Sequence, residues 1–365
     1  MLGLLALLAG LWAGLLRLGL GLPELSTSLA GDHGPLMALG FLGTVISLER
    51  AVALQRRWGY AAPLTSGLGT LASLLGWSVP GGWLLVIAGV LLTAIFIRVL
   101  LLQPALHTAV MGAGAVAWIG AAALWLAGHG GLPMATWFAG FLVLTVSGER
   151  LELSRFTGLE TRARLLFLLV AGGFGAGLLI TLPDAHLGAP VVGAGLLGLA
   201  AWLGRYDVAR RTVRGHGITR YMAACLLAGY AWLAAAGIIW IASGASYGWS
   251  YDAKLHTIFL GFVMSMVFGH APVIVPSVLG VAVPYRRMYW LHVAILHAGL
   301  LMRVLGDAIA SLTLWRAGGI LNEVAILLFI VVTAITSARA TRMRSRGRHV
   351  SMSERAIRAA SESDS

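Results

Sequence analysis

Ten histidines occur in this chain, and six of them fall inside or at the head of long apolar runs. A neutral imidazole there needs a hydrogen-bond partner, water or a metal. His33 and His256 each open such a run. On helices packed 8–10 Å apart, two imidazoles can share one metal ion, and on helices spread wider they can bracket a haem iron. His270 follows His256 on the same run, about 21 Å deeper at 1.5 Å per residue. His297, on the next run and pointing back, reaches a similar depth, which gives a second candidate ligand pair. Hydrogen bonding between helices is the alternative role for both pairs. His107 and His292 begin runs and read as interfacial, while His129, His186, His216 and His349 fall in loops or the tail.

Other side chains extend this chemistry. Met37 lies one turn below His33, and Met264 and Met266 lie two to three turns below His256. A thioether suits Cu(I) or haem iron, and methionine is equally a flexible filler of apolar gaps. Arg303 in "LMRVLGD" sits within a span, able to meet haem propionates or to pair with Asp307 four residues on. Glu49-Arg50 and Glu149-Arg150 close two spans, as proton relays or as ion pairs with loop arginines. The one cysteine, Cys225, lies in an apolar run. That excludes a disulfide framework and a thiolate-rich metal site, and leaves a buried structural thiol.

The elements that must position these groups are membrane helices. Of the 365 residues 59 % are hydrophobic and only 11 % charged, with a mean hydropathy of +0.87, whereas about a quarter of residues are charged in soluble domains. Breaks at proline, glycine and charge clusters predict twelve spans, near 2–21, 33–54, 60–78, 82–102, 105–128, 134–153, 162–182, 186–206, 217–243, 253–279, 289–311 and 315–339. The runs are apolar all round, so the fold class is an all-α polytopic bundle and not a barrel of alternating strands. The opening stretch lacks a basic n-region, so it reads as the first span and not as a signal peptide.

Alternate loops are basic, with Arg50, Arg56, Arg57, Arg98, Arg150, Arg155, Arg205, Arg210, Arg211, Arg286 and Arg287 among them, and Glu24, Asp32, Asp184 and Asp252 mark the others. Retention of arginine on the cytoplasmic side places both termini in the cytoplasm of a bacterial-type inner membrane. The formal charge of +12 is thereby explained by topology, with no nucleic-acid partner. Residues 1–340 form the twelve-helix domain, and residues 341–365 read as a disordered basic tail against anionic lipid. "GFLGTVISLER" at 40–50, "GFLVLTVSGER" at 140–150 and "GFVMSMVFGHA" at 261–271 repeat a Gly-Phe start with a polar residue nine positions on. Three units of four helices, arranged about a pseudo-threefold axis, follow from that spacing.

Several segments resemble the NnrS family, membrane proteins containing haem and copper and associated with the nitric oxide response. "HGPLMALGF" carries His33, Met37, Gly40 and Phe41 at the spacing of that family's second span, with Pro35 where a further histidine is expected. Gly148 and Arg150 stand at its Gly-x-Arg element. "HTIFLGFVMSM" keeps His256, Gly261 and Met266, and Arg303, Val304 and Leu305 match its Leu-Arg-Val-Leu segment. His270 lies outside the shared pattern. The resemblance implies a haem, with copper as a further metal, held by His33 and His256 and supported by Arg303, and a small diatomic ligand such as nitric oxide. Four helices in each of three units also resemble haem-copper oxidase subunit I in architecture alone. The alternatives are a secondary transporter or proton pathway through Glu49, Glu149 and His270, and a metal-free assembly partner.

Overall fold

In lipid every backbone N–H and C=O must be satisfied within the segment, and long Leu/Ala/Gly runs without charge meet that demand only as helices. The computed structural model describes residues 1–23, 29–154 and 158–363. Glu24 and Arg155, counted above among the loop charges, lie outside the described residues. The fold is all-α: α1 Leu2–Arg17, α2 His33–Leu54, α3 Ala61–Leu74, α4 Ser78–Leu102, α5 Leu106–Leu126, α6 Leu132–Ser154, α7 Thr161–Ile180, α8 Ala185–Tyr206, α9 Gly217–Ser243, α10 Trp249–Val278, α11 Tyr289–Ala308 and α12 Leu312–Ser363. No strand occurs among the described residues.

Ten of the twelve are long and apolar enough to cross a membrane, so the protein is an integral, multi-pass membrane protein. The expectation of twelve full spans is corrected at two places. Helix α1 has 16 residues and α3 has 14, about 24 and 21 Å against a hydrocarbon core of about 30 Å. Both stop early at glycines in the left-handed region, Gly19 (φ 71°) after α1 and Gly76 (φ 85°) after α3, a conformation that ends helices. Helix α12 runs on to Ser363, through the segment read above as a basic tail. Its Arg, Met, Ala and Glu residues favour that state and no proline interrupts it.

Consecutive helices pack as antiparallel hairpins, and α2, α6 and α10, which carry the repeated motif, each touch the other two. Helix α6 is the most enclosed span, with 83 % of its apolar window buried, as a helix at the middle of the bundle must be. Trp118 donates its indole N–H to the Leu85 carbonyl at 2.9 Å, tying α5 to α4 beneath this centre. Cys225 is fully buried and unpaired by any disulfide, as its sequence setting implies.

Candidate functional site

Two of the three repeat helices depart from α geometry in register. Residues Leu36–Gly43 of α2 and Thr257–Met264 of α10 are π-helical, each eight residues long with its Gly-Phe pair, Gly40-Phe41 and Gly261-Phe262, at the fifth and sixth places. The equivalent stretch of α6 remains α-helical. A π segment carries an extra residue in its turns and re-aims the side chains on either side, and such segments concentrate at functional sites. His33 stands just before the first and His256 immediately before the second.

Both histidines line one cavity of about 150 Å³ at this end of the bundle, here called the histidine end. The π segments supply Met37, Ala38, Leu42, Phe259, Leu260 and Met264 to its wall, and α6 adds Met134, Ala135 and Phe138. The His33 Nδ1 lies 2.8 Å from the Gly10 carbonyl oxygen, and the His256 Nδ1 lies 2.9 Å from the Asp252 carbonyl oxygen. A carbonyl only accepts, so each Nδ1 carries the proton and donates it. Each Nε2 then keeps its lone pair, the tautomer and anchoring found in metal-ligating histidines. Asp252 is itself held by Arg303, whose Nε and Nη2 donate to its two carboxylate oxygens at 2.6 and 2.7 Å, so Arg303 steadies the residue that steadies His256. The guanidinium also lies over the Trp315 ring at 5.2 Å.

Helix α1 makes room for this arrangement. A Cβ on Gly10 would come within 2.5 Å of the Met37 sulfur, and one on Gly14 within 2.7 Å of Glu323 Oε1 and 3.2 Å of His33 Cε1. Two glycines one turn apart thus give a bare strip that lets α2 and α12 side chains approach closely.

The structure brings together His33, His256, Met37, Met264 and Arg303 among the residues singled out by sequence, and separates the others. Met266 packs against Gly229 of α9, and Met264 takes the place at the cavity. His270 and His297 have different partners: Arg150 Nη1 donates to His270 Nε2 at 3.2 Å, and Trp232 donates its indole N–H to His297 Nδ1 at 3.0 Å. Arg303 pairs with Asp252, not with Asp307. His292, read as interfacial, is fully buried beside Tyr221 and meets Phe268, Tyr289 and Phe329 edge-on.

At the opposite, arginine end the repeat positions meet head to tail. Arg50 of the first unit contacts Glu149 of the second as well as its own Glu49, and Arg150 of the second contacts His270 of the third. Arg150 also forms a two-point pair with Asp207, Nε to Oδ2 at 2.6 Å and Nη2 to Oδ1 at 2.9 Å. Tyr230 and the Ala209 amide donate to the same carboxylate at 2.9 and 2.7 Å. Every lone-pair direction of Asp207 is used, and both side chains are under 5 % exposed.

Sequence reasoning missed several of these groups. Asn322 and Glu323 line the cavity from α12, and their signal was visible as an Asn-Glu pair inside the apolar run "GGILNEVAILL". Asp207 and Tyr230 gave no local signal, because their role exists only once α6, α8 and α9 meet. Lys254, fully buried, donates to the Gly244 and Ser246 carbonyls at 2.7 and 2.8 Å. Among the described residues no three His, Cys, Asp or Glu side chains gather as a metal-holding group.

The family model for a domain of unknown function, DUF8744, matches residues 1–339, and the chain belongs to that family. No curated protein and no solved structure matches it.

Proposed function

We propose that the histidine-end cavity is a haem site that His33 and His256 would hold through their imidazoles. The observation that carries this reading is the pair of imidazoles on equivalent helices, each with Nδ1 anchored to a backbone carbonyl and both residues lining the same cavity. The donor set fits a haem better than a bare ion, and the cavity of about 150 Å³ would have to widen to admit the macrocycle. A tetrahedral or octahedral ion asks the protein for more ligands than two histidines supply, whereas a porphyrin brings four nitrogens and asks only for the axial pair. The walls between them, Phe138, Phe259, Leu42 and Ile326, suit an apolar macrocycle, and Arg17 and Arg303 suit its carboxylates. When bound, haem supplies reversible one-electron chemistry and affinity for diatomic ligands. The protein's part is to fix the two imidazoles, exclude water and place cations at the rim. Met37 and Met264 offer soft sulfur beside this site, the chemistry copper would use.

The resemblance to NnrS proteins supports nitric oxide or a related diatomic molecule as the ligand. The arginine distribution supports a cytoplasmic arginine end with both termini inside, and the histidine end facing out. A reporter joined after Arg339 is expected to be active only in the cytoplasm. A secondary transporter is the second reading. It is favoured by the charged pairs at the far ends of the same three helices, Arg50 with Glu149 and Arg150 with Asp207. Haemochrome analysis of protein purified from haem-sufficient cells decides between them. About one haem per chain is expected, and protein free of haem after such growth would leave the transporter reading.

A further inference from the structure

The α12 wall of the histidine-end cavity holds acceptors without donors. Asn322 is 2 % exposed. Its amide Nδ2 donates to the Leu296 carbonyl at 2.8 Å, and its Oδ1 is closed to solvent and takes no hydrogen bond. Glu323 Oε2 is likewise buried and without a hydrogen-bond partner. Both residues line the cavity. Neither of its arginines hydrogen-bonds Glu323: Arg303 donates Nε and Nη2 to the Asp252 oxygens, and the exposed Arg17 reaches the Ala30 carbonyl at 3.4 Å. Glu323 therefore has no hydrogen-bonded counter-charge, although a buried carboxylate without one is strongly disfavoured. The bare Cα of Gly14 keeps space open for that carboxylate, since a Cβ would stand 2.7 Å from its Oε1.

We propose that Glu323 and Asn322 form a binding site for a small monovalent cation on the α12 wall of this cavity. Carboxylate and amide oxygens are hard donors, suited to alkali ions or ammonium and not to soft metals. The charge argues for a monovalent ion. One carboxylate and one such ion leave the wall neutral, whereas a divalent ion would leave a net positive charge with no further acid to match it. Bound there, the ion would lie on the same cavity as His33 and would make its occupancy sensitive to the salt at the histidine end.

Thermal unfolding of the full chain in detergent tests this in lithium, sodium, potassium, ammonium and choline chlorides at one ionic strength. At least one small cation is expected to raise the Tm above that in choline, saturably, by a few degrees, because a ligand bound only to the native state stabilises it. Glu323→Gln is expected to abolish that rise. Equal Tm in all five salts, or a rise that survives Glu323→Gln, would overturn the proposal. Should the variant not fold, equilibrium dialysis of the native chain against the effective ion decides: about one ion per chain supports the site, and none overturns it. The experiment reads the same on haem-free protein, so its outcome is separable from that of the haem reading.

Discussion

The two ends of α2, α6 and α10 are built from the same repeated segments and treat polar groups in opposite ways. At the arginine end the groups around Arg150 are spent. Asp207 accepts four hydrogen bonds, and His270 has both nitrogens engaged, Nδ1 with the Met266 carbonyl and Nε2 with Arg150. At the histidine end His33 and His256 keep an unshared Nε2, and acceptors of Asn322 and Glu323 lack donors. Among the described residues the π segments occur only toward this end, on the two helices that bear His33 and His256. A satisfied polar network locks helices together, whereas unspent groups around a cavity have a ligand as their use. One end therefore reads as a closure and the other as a site.

The contrast breaks first at Arg150. Arg150→Ala strands the buried Asp207 charge, and a loss of about 3–5 kcal/mol is expected, visible as a collapse of folded yield and Tm in detergent, with Asp207→Asn as its partner test. Were both variants as stable as the parent, the arginine end would not be the lock described here. Tyr230→Phe removes one hydrogen bond to the same carboxylate, and about 1–3 kcal/mol should be lost.

Gly14→Ala probes the other end. Crowding Glu323 and His33 should cost about 1–3 kcal/mol and shift the absorption of any haem bound there, which a visible spectrum and a melting curve would record together. Smallest is Glu149→Gln. Arg50 keeps Glu49, both partners are partly exposed, and about 1 kcal/mol or less is expected from thermal unfolding. A large loss there would promote this pair from a rim contact to part of the lock.

How far the sequence disclosed these two ends depended on whether the signal was local. Polar residues interrupting apolar runs stand out, and so His33, His256, Arg303, Glu49 and Glu149 were found without coordinates. The Gly-Phe repeat likewise named the three helices that surround the cavity. Pairing is not local. Arg303 has Asp307 one turn away and takes Asp252 instead, 51 residues earlier in the chain, because α10 presents that carboxylate to it. Met266 and Met264 differ by two positions on α10, and the π segment decides which one reaches the cavity. Helix ends were misjudged where glycine stops a run early, as at Gly19 and Gly76, since hydropathy continues past the stop.

The proposed haem between α2 and α10 would be held by His33 and His256. Its most direct test is the visible spectrum of the purified protein, oxidised and reduced with dithionite, beside His33→Ala and His256→Ala. A Soret band is expected in the parent and is expected to be lost or converted in both variants while both still fold. A Soret band unchanged in either variant, or absent from the parent after haem supplementation, would contradict it.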